Sequence, residues 1–467
     1  MISRSISLKR NPSNLSFIYV STLLCCGLFS IIIDDFFFFH IAIICSAFYA
    51  VIRKDLYALK YFTLYTFFQN IVLIYFSPSL SSLDTQLFIA YKELVVYFLA
   101  ILFFLSNGFG RFNNDILSKL VLLLLAFVFI FNLVRPNAPL SAKLLSLRQI
   151  LIPFVCLLFG YSIVATREQI IKYFRVLIIL VLILCLCGLL IYLYEPRSFW
   201  DNMNFRTYFL NKNGSVFEGA YSNFFSHDFG GPFPRFVSFM ADPIATAHII
   251  GLSFVYLFFV CKRKLIILKL LIFVCAILCF SKSLLFLLFT TILLLVYLNI
   301  EKKALQVLFV IGSIVSLFVL FALAQLYVGG LESDTASGNH LKSLIYAVNN
   351  NSAMGMGLGS AGYLAGITGG DIEIEYNESF LAMLIAQIGL VGTTVFYSYF
   401  LLKIKQMINI YRKSRDSYML FAIIIFTDVV LESIVSGSSI AMLGTGLYFI
   451  LPGLILRNHI RLNTGRV

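Results

Sequence analysis

The chain has 467 residues, 60% of them hydrophobic and only 12% charged, with a formal net charge of +13 and a mean hydropathy of +0.94. Soluble domains are roughly a quarter charged, so this composition excludes a cytoplasmic enzyme, a disordered chain, a collagen and a disulfide framework. Apolar runs recur from one terminus to the other, which excludes a single anchor on a globular body. The whole of 1–467 reads as one transmembrane domain.

In chain order, stretches of about 20 apolar residues, enough to cross roughly 30 Å of hydrocarbon, fall near 15–33, 36–52, 56–76, 87–106, 116–134, 149–165, 170–194, 242–261, 265–281, 284–300, 304–326, 379–402, 417–434 and 440–456. They predict an all-α, polytopic integral membrane protein with about 12–14 transmembrane helices. The first run has no small-residue cleavage site before Asp34-Asp35 and reads as a retained span. The two runs flanking Ser281-Lys282-Ser283 are both short.

Basic residues gather in alternate connections, such as Arg53-Lys54, Lys262-Arg263-Lys264, Lys302-Lys303 and the segment from Lys403 to Arg415. The positive-inside rule then places both termini in the cytoplasm. Scattered between apolar segments, the same bases form no domain for nucleic acid. The nine cysteines all lie in apolar segments and read as small hydrophobes. No internal repeat is visible, which argues against a secondary transporter. Two hydrophilic stretches, 195–240 and 327–377, fall together on the outer face, where any chemistry is expected.

Charges inside spans are costly and often functional. Lys60, Lys119, Lys172, Arg175 and Lys269 lie near cytoplasmic ends, within reach of snorkelling. Lys92 and Glu93 fall about 7–9 Å below the outer end of their span, and Asp428 and Glu432 share one helical face near the outer end of theirs. These residues read either as a polar cavity opening outward or as ion pairs, such as Lys92 with Asp428.

The 195–240 loop mixes aromatic residues, among them Trp200, Phe205, Tyr208 and Tyr221, with polar ones that include His227. That mixture suits either sugar stacking or a segment lying on the bilayer interface. Arg235 offers a permanent, forked cation to an anion at the surface. Asp242-Pro243 reads as a cap and first turn of the next helix, with a role for the Asp242 carboxylate in chemistry as the alternative. In the second loop, Leu341, Leu344, Ile345 and Val348 recur at helical spacing, and Asn349-Asn350-Asn351 ends that run. Gly355-x-Gly357-x-Gly359 has no preceding strand and no following lysine, which excludes a nucleotide loop. Its glycines fit a tight turn or a close backbone approach to a ligand. Tyr376-Asn377-Glu378-Ser379 then opens a span, with Glu378 at the membrane level of Arg235.

In order and spacing these motifs resemble the Wzy-type O-antigen polymerase and O-antigen ligase superfamily. The resemblance rests on Arg235-x-x-Ser238-x-x-x-Asp242-Pro243, Ser281-Lys282-Ser283, Gly355-x-Gly-x-Gly359, Asn377-Glu378-Ser379 and Gly389-Leu-Val-Gly392, and so covers about 230–400. The N-terminal half agrees only in hydropathy. The resemblance implies a GT-C-like membrane glycosyltransferase of the bacterial inner membrane, acting at the periplasmic face on undecaprenyl-diphosphate-linked oligosaccharides. It implies no nucleotide sugar, no cofactor and no required metal, and it implies a partner protein that regulates chain length. Lys282 stands where the family usually has an arginine. Glu378 stands near the position where ligases carry histidine, which points to a polymerase.

On this reading Arg148, Arg235 and Lys282 hold the diphosphate leaving group. Glu378 deprotonates the incoming sugar hydroxyl, with Asp242 and Glu432 in reserve. His227, His340, Asn377, Tyr221 and Trp200 are the expected substrate contacts. One carboxylate opposite a diphosphate leaving group gives inversion. The alternatives are an O-antigen ligase acting on lipid A core, a lipid-linked oligosaccharide flippase or transporter, and a structural protein whose outer charges are ion pairs alone.

Overall fold

Apolar runs of this kind become helices because hydrocarbon offers the backbone no other hydrogen-bond partner. In a computed structural model, the structure describes residues 37–53, 56–108, 115–136, 138–213, 221, 224–226, 233–261, 265–309, 311–312, 353–362, 379–440 and 442–464, together with 343, 345, 347 and 349. The expected first span at 15–33 lies outside the described residues.

The helices are α1 (Phe37–Arg53), α2 (Leu56–Phe76), α3 (Ser82–Phe103), α4 (Ile116–Val134), α5 (Leu140–Ser162), α6 (Arg167–Tyr194), two short ones, α7 (Pro196–Asn202) and α8 (Phe205–Asn213), then α9 (Pro243–Phe259), α10 (Ile266–Leu278), α11 (Lys282–Asn299), α12 (Phe380–Ser414), α13 (Ser417–Val435) and α14 (Met442–Thr464). A two-residue ribbon, β1 (Phe225–Ser226) against β2 (Phe233–Pro234), is antiparallel, with Phe225 opposite Pro234. The protein is all-α apart from this ribbon among the described residues, and seven helices there are long and apolar enough to cross a membrane. α9 and α10 are apolar but shorter.

Two helices begin earlier than hydropathy predicts. α5 starts at Leu140 rather than 149, because Lys143 is satisfied inside it: its ammonium donates to the carbonyls of Leu133, at 3.1 Å, and Arg135. α3 starts at Ser82, where Ser81 and Asp84 form a capping box. In the second loop, residues 343, 345, 347 and 349 are helical. Ser343 and Ala347 are buried there while Ile345, expected on the inward face, is 50% exposed; Leu341, Leu344 and Val348 lie outside the described residues. The helix also includes Asn349, one of the residues expected to end it.

Outward faces are apolar, as at Leu123, Phe127 and Ile130 of α4 and Leu186, Leu190 and Leu193 of α6. Exposed apolar surface of this extent suits lipid and would be a liability in water. Inside, α5 and α14 cross closely: a Cβ on Gly160 would strike the backbone of Ile450, and one on Gly453 the backbone of Leu157. Small residues permit such crossings where no hydrophobic effect drives helices together.

Successive helices alternate in direction, so α3, α5, α9, α11, α12 and α14 begin at the end where α2, α4, α6, α10 and α13 finish. Contacts tie this loop end together, including Asn70 to Met240 O at 2.6 Å, Phe236 N to Leu278 O at 2.8 Å and Ser379 Oγ to Ile434 O at 2.7 Å.

α12 is broken at Gly389, whose φ is 72° and ψ is 177°. Residues 353–357 fill the break. Met356 N donates to Ala386 O at 2.7 Å, Gly357 N to Gln387 O at 3.0 Å, and Val391 N to Ala353 O at 3.1 Å. A Cβ on Gly389 would collide with the backbone of Ala353 and Gly355. Gly389→Ala should therefore lower the thermal midpoint of the detergent-solubilised protein, since overpacking alone costs roughly 1–3 kcal/mol and the left-handed φ adds to it. Gly312→Ala, where an added methyl meets nothing within 4 Å, should leave the midpoint unchanged.

Candidate functional site

The site is assembled at the loop end by three helix starts and one helix finish. Ala241, with φ 51°, turns the chain into α9. Asp242 caps that helix, its Oδ1 accepting from Ile244 N and Ala245 N at 2.9 Å each, with Pro243 in the first turn. His248 follows about one and a half turns into α9. Ser281 caps α11 by accepting from Ser283 N at 3.3 Å. α13 carries Asp428 and Glu432 on one face.

These elements meet on Glu432. His248 Nε2 lies 2.9 Å from one carboxyl oxygen, and Ser283 Oγ donates to the other at 2.5 Å. His248 Nδ1 is 2.9 Å from Ile244 O, which can only accept, so that nitrogen carries a proton. One further proton is shared between Nε2 and Glu432, as an ion pair or as two neutral groups. Tyr448 of α14 donates to His248 O at 2.8 Å and packs its ring edge-on to the imidazole. The cluster is dry: His248 is 2% exposed and Glu432 3%. One turn deeper, Asp428 is buried, with the hydroxyl of the buried Thr290 on α11 beside its carboxyl group. The expected pair of Lys92 with Asp428 does not form: the Lys92 ammonium donates to Gln69.

Lys282 adjoins this cluster as the neighbour of Ser283, and the Arg235 strand packs against the residues just before it. Arg235 N donates to Phe224 O at 2.7 Å, the next residue hydrogen-bonds Leu278 O, and Phe233 packs on Phe280. The Arg235 strand thus runs along the break from which Lys282 projects, and the Arg235 charge acts on Cys279 within it. Lys282 is exposed at the first turn of α11.

Arg148 is held by a carboxylate of α3. It sits two turns inside α5, where Nε and one terminal nitrogen bind the two carboxyl oxygens of Glu93 at 2.7 Å each. Such a forked pair is strong and directional. Arg148 therefore belongs to a second polar cluster, formed with Glu93, Lys92 and Gln69.

Trp200 is wholly buried among Phe199, Phe205 and Phe224, and Tyr221 is buried with its hydroxyl donating to Asp201. Burial, then the bond to Asp201, pushes the Tyr221 phenol well above its ordinary pKa. Both rings expected to stack on sugar are core residues of a small aromatic cluster, in which Phe199, Phe205 and Phe224 cover them. The glycine loop makes a close approach to the broken helix α12: Gly359 N donates to Gln387 Oε1 at 3.3 Å and Gln387 Nε2 to Ala361 O at 2.6 Å.

Glu378, Asn377, His227 and His340 lie outside the described residues. Among the described residues no group of three or more His, Cys, Asp or Glu is arranged to hold a metal ion. Sequence reasoning missed His248. Its signal was a lone imidazole in an apolar run just inside the Asp242 cap.

Removing Glu432 strands two buried partners, and breaking a buried pair costs about 3–5 kcal/mol. Glu432→Leu should lower the thermal midpoint of the purified protein strongly. Asp428→Leu removes a buried carboxyl whose neighbour is the single hydroxyl of Thr290 and no cation among the described residues, so its midpoint should fall much less than that of Glu432→Leu; an equal fall would mean Asp428 is tied into the fold as firmly.

No protein-family model matches the chain, and no curated protein matches its sequence. The helices, their apolar length and their outward faces make this a polytopic membrane protein.

Proposed function

We propose that the chain is a surface-polysaccharide polymerase, transferring the growing glycan from undecaprenyl diphosphate to the next lipid-linked repeat unit. The observation that carries this reading is the packing of the Arg235 strand along residues 278–280, immediately before Lys282, at the loop end that also holds the buried Glu432–His248 pair. The finer expectations belong to the same reading: about 12–14 spans, a GT-C-like architecture, a bacterial inner membrane, both termini cytoplasmic and the loop end periplasmic.

In the reaction, the acceptor hydroxyl oxygen bonds to the anomeric carbon while the bond from that carbon to the diphosphate oxygen breaks. Its proton passes to a carboxylate, assigned to Glu378, and the leaving diphosphate gains negative charge. Arg235 and Lys282 stabilise that charge where water is partly excluded. Displacement from the far face inverts the anomeric centre. Asp242 is committed to capping α9, and Glu432 is enclosed by His248 and Ser283, so Glu432 serves as a positioning residue that fixes α11 and with it Lys282.

A second reading, a carrier of lipid-linked oligosaccharide, is favoured by two observations. Buried charges occur at several depths, at Lys92, Glu93, Asp428 and Lys403, and α12 is discontinuous, as helices at transporter midplanes are. Purified protein reconstituted with defined lipid-linked repeats separates the two. A polymerase yields a ladder of longer chains, and a carrier moves the repeats across the bilayer without lengthening them. Within that assay, Glu378→Ala should abolish the ladder with donor binding retained, a loss of turnover more than of affinity. Normal chain lengths from this variant would remove Glu378 as the base.

A further inference from the structure

Between Arg235 and the start of α9 the chain is irregular, yet Phe236, Val237, Ser238 and Met240 are fully buried. Irregular backbone inside a membrane bundle persists only where protein groups satisfy it. At its outer end the segment is held by Arg235 N donating to Phe224 O and by Phe236 N donating to Leu278 O of α10. In the middle, Ser238 Oγ donates to Leu184 O of α6 at 2.6 Å. At its inner end the tie is to α2: the Asn70 amide donates to Met240 O at 2.6 Å, and Phe239 stacks on Phe68 with ring centroids 5.2 Å apart.

The bond from Asn70 falls on the most constrained peptide of the segment. Ala241 has φ 51°, a left-handed conformation that a residue with a Cβ adopts at a cost. The peptide joining Met240 to Ala241 is gripped on both sides. Its N–H donates to Ser238 O at 2.8 Å, and its carbonyl accepts from Asn70. Turning that peptide over would relieve Ala241 and would break both bonds. A strained turn of this kind survives only when its surroundings fix it. Of the two bonds, the one to Ser238 is local, whereas Asn70 brings in a helix 170 residues away. Asn70 is itself buried, so bulk water does not stand in for its amide.

We propose that Asn70 is a positioning residue for Arg235. By holding the 240–241 peptide it keeps the turn into α9 left-handed and ties the Arg235 strand to the bundle that carries Glu432 and α11. Without it the strand is held at its outer end by Phe224 and the short helix α10, and moves with them. The consequence for turnover rests on the polymerase reading, in which Arg235 stabilises the leaving diphosphate. Asn70 also brings into the site the N-terminal half of the chain, which shares only hydropathy with the superfamily that the later motifs resemble.

The test is a double-mutant cycle on the full-length protein, assayed with defined lipid-linked repeats. Asn70→Leu should lower kcat roughly 10- to 100-fold, the scale of a small misplacement. KM for the repeat should stay within about twofold, because the group displaced acts on the transition state. Adding Asn70→Leu to Arg235→Ala should cost nothing further, since a residue that acts through Arg235 then has nothing left to position. Ala241→Gly, which takes the left-handed φ without strain, should restore turnover to Asn70→Leu. Losses that multiply in the double variant, or no restoration by Ala241→Gly, overturn the proposal and leave Asn70 as a packing contact. Asn70→Ala serves the same cycle if the leucine variant does not fold. A second arm needs no activity: in detergent, the rate at which a charged thiol reagent labels Arg235→Cys should rise severalfold when Asn70→Leu is added, and an unchanged rate overturns the proposal. A wild type that lengthens no chains counts against the polymerase reading and leaves the labelling arm to decide what Asn70 holds.

Discussion

Glu432 is the contact on which the geometry of the loop end depends. A carboxylate in a dry helix bundle must find donors, and it finds them on two other helices, His248 of α9 and Ser283 of α11. Those two bonds fix the starts of both helices against the end of α13. Everything upstream and downstream of them inherits the placement: Asp242 and Arg235 precede His248 by short, defined stretches, and Lys282 is the residue before Ser283. The cations are thus positioned by a buried pair that never meets solvent.

The same demand organises polar groups elsewhere in the bundle. Arg148 closes on Glu93, Lys143 on the last carbonyls around the end of α4, and Tyr97 donates to Arg148 O at 2.9 Å. Each links two helices through a bond that hydrocarbon makes expensive to leave unmade. Such pairs let α5 run through two basic residues that would otherwise end a span, and they leave its crossing with α14 to small residues and apolar contact.

The break in α12 shows a different solution to that demand. Opening a helix frees backbone groups, and residues 353–357 re-satisfy them with their own N–H and C=O groups. The inserted turn requires left-handed backbone at Gly355, Gly357 and Gly359, with φ of 73°, 111° and 81°. Arg135 reaches the carbonyl of Gly355, so the loop is held from the α4 side as well. The glycine run is a structural plug for a discontinuous helix at the loop end.

Much of the architecture was legible in the sequence, because the free energy of burying apolar surface in a bilayer is additive along the chain and depends little on neighbours. That is why α2, α4, α6, α9 and α13 fall close to their hydropathy runs, why Asp242-Pro243 could be read as a helix start, and why Asp428 and Glu432 could be placed on one face. Partnership was not legible. Nothing in the run around His248 names Glu432, 184 residues away, nothing in Arg148 announces Glu93, and the rings of Trp200 and Tyr221 look the same in a sequence whether they face a ligand or one another. Which charge meets which is decided only when helices pack, since an ion pair acts between segments distant in sequence over a few ångströms of space, and that distance is set by the tertiary structure alone.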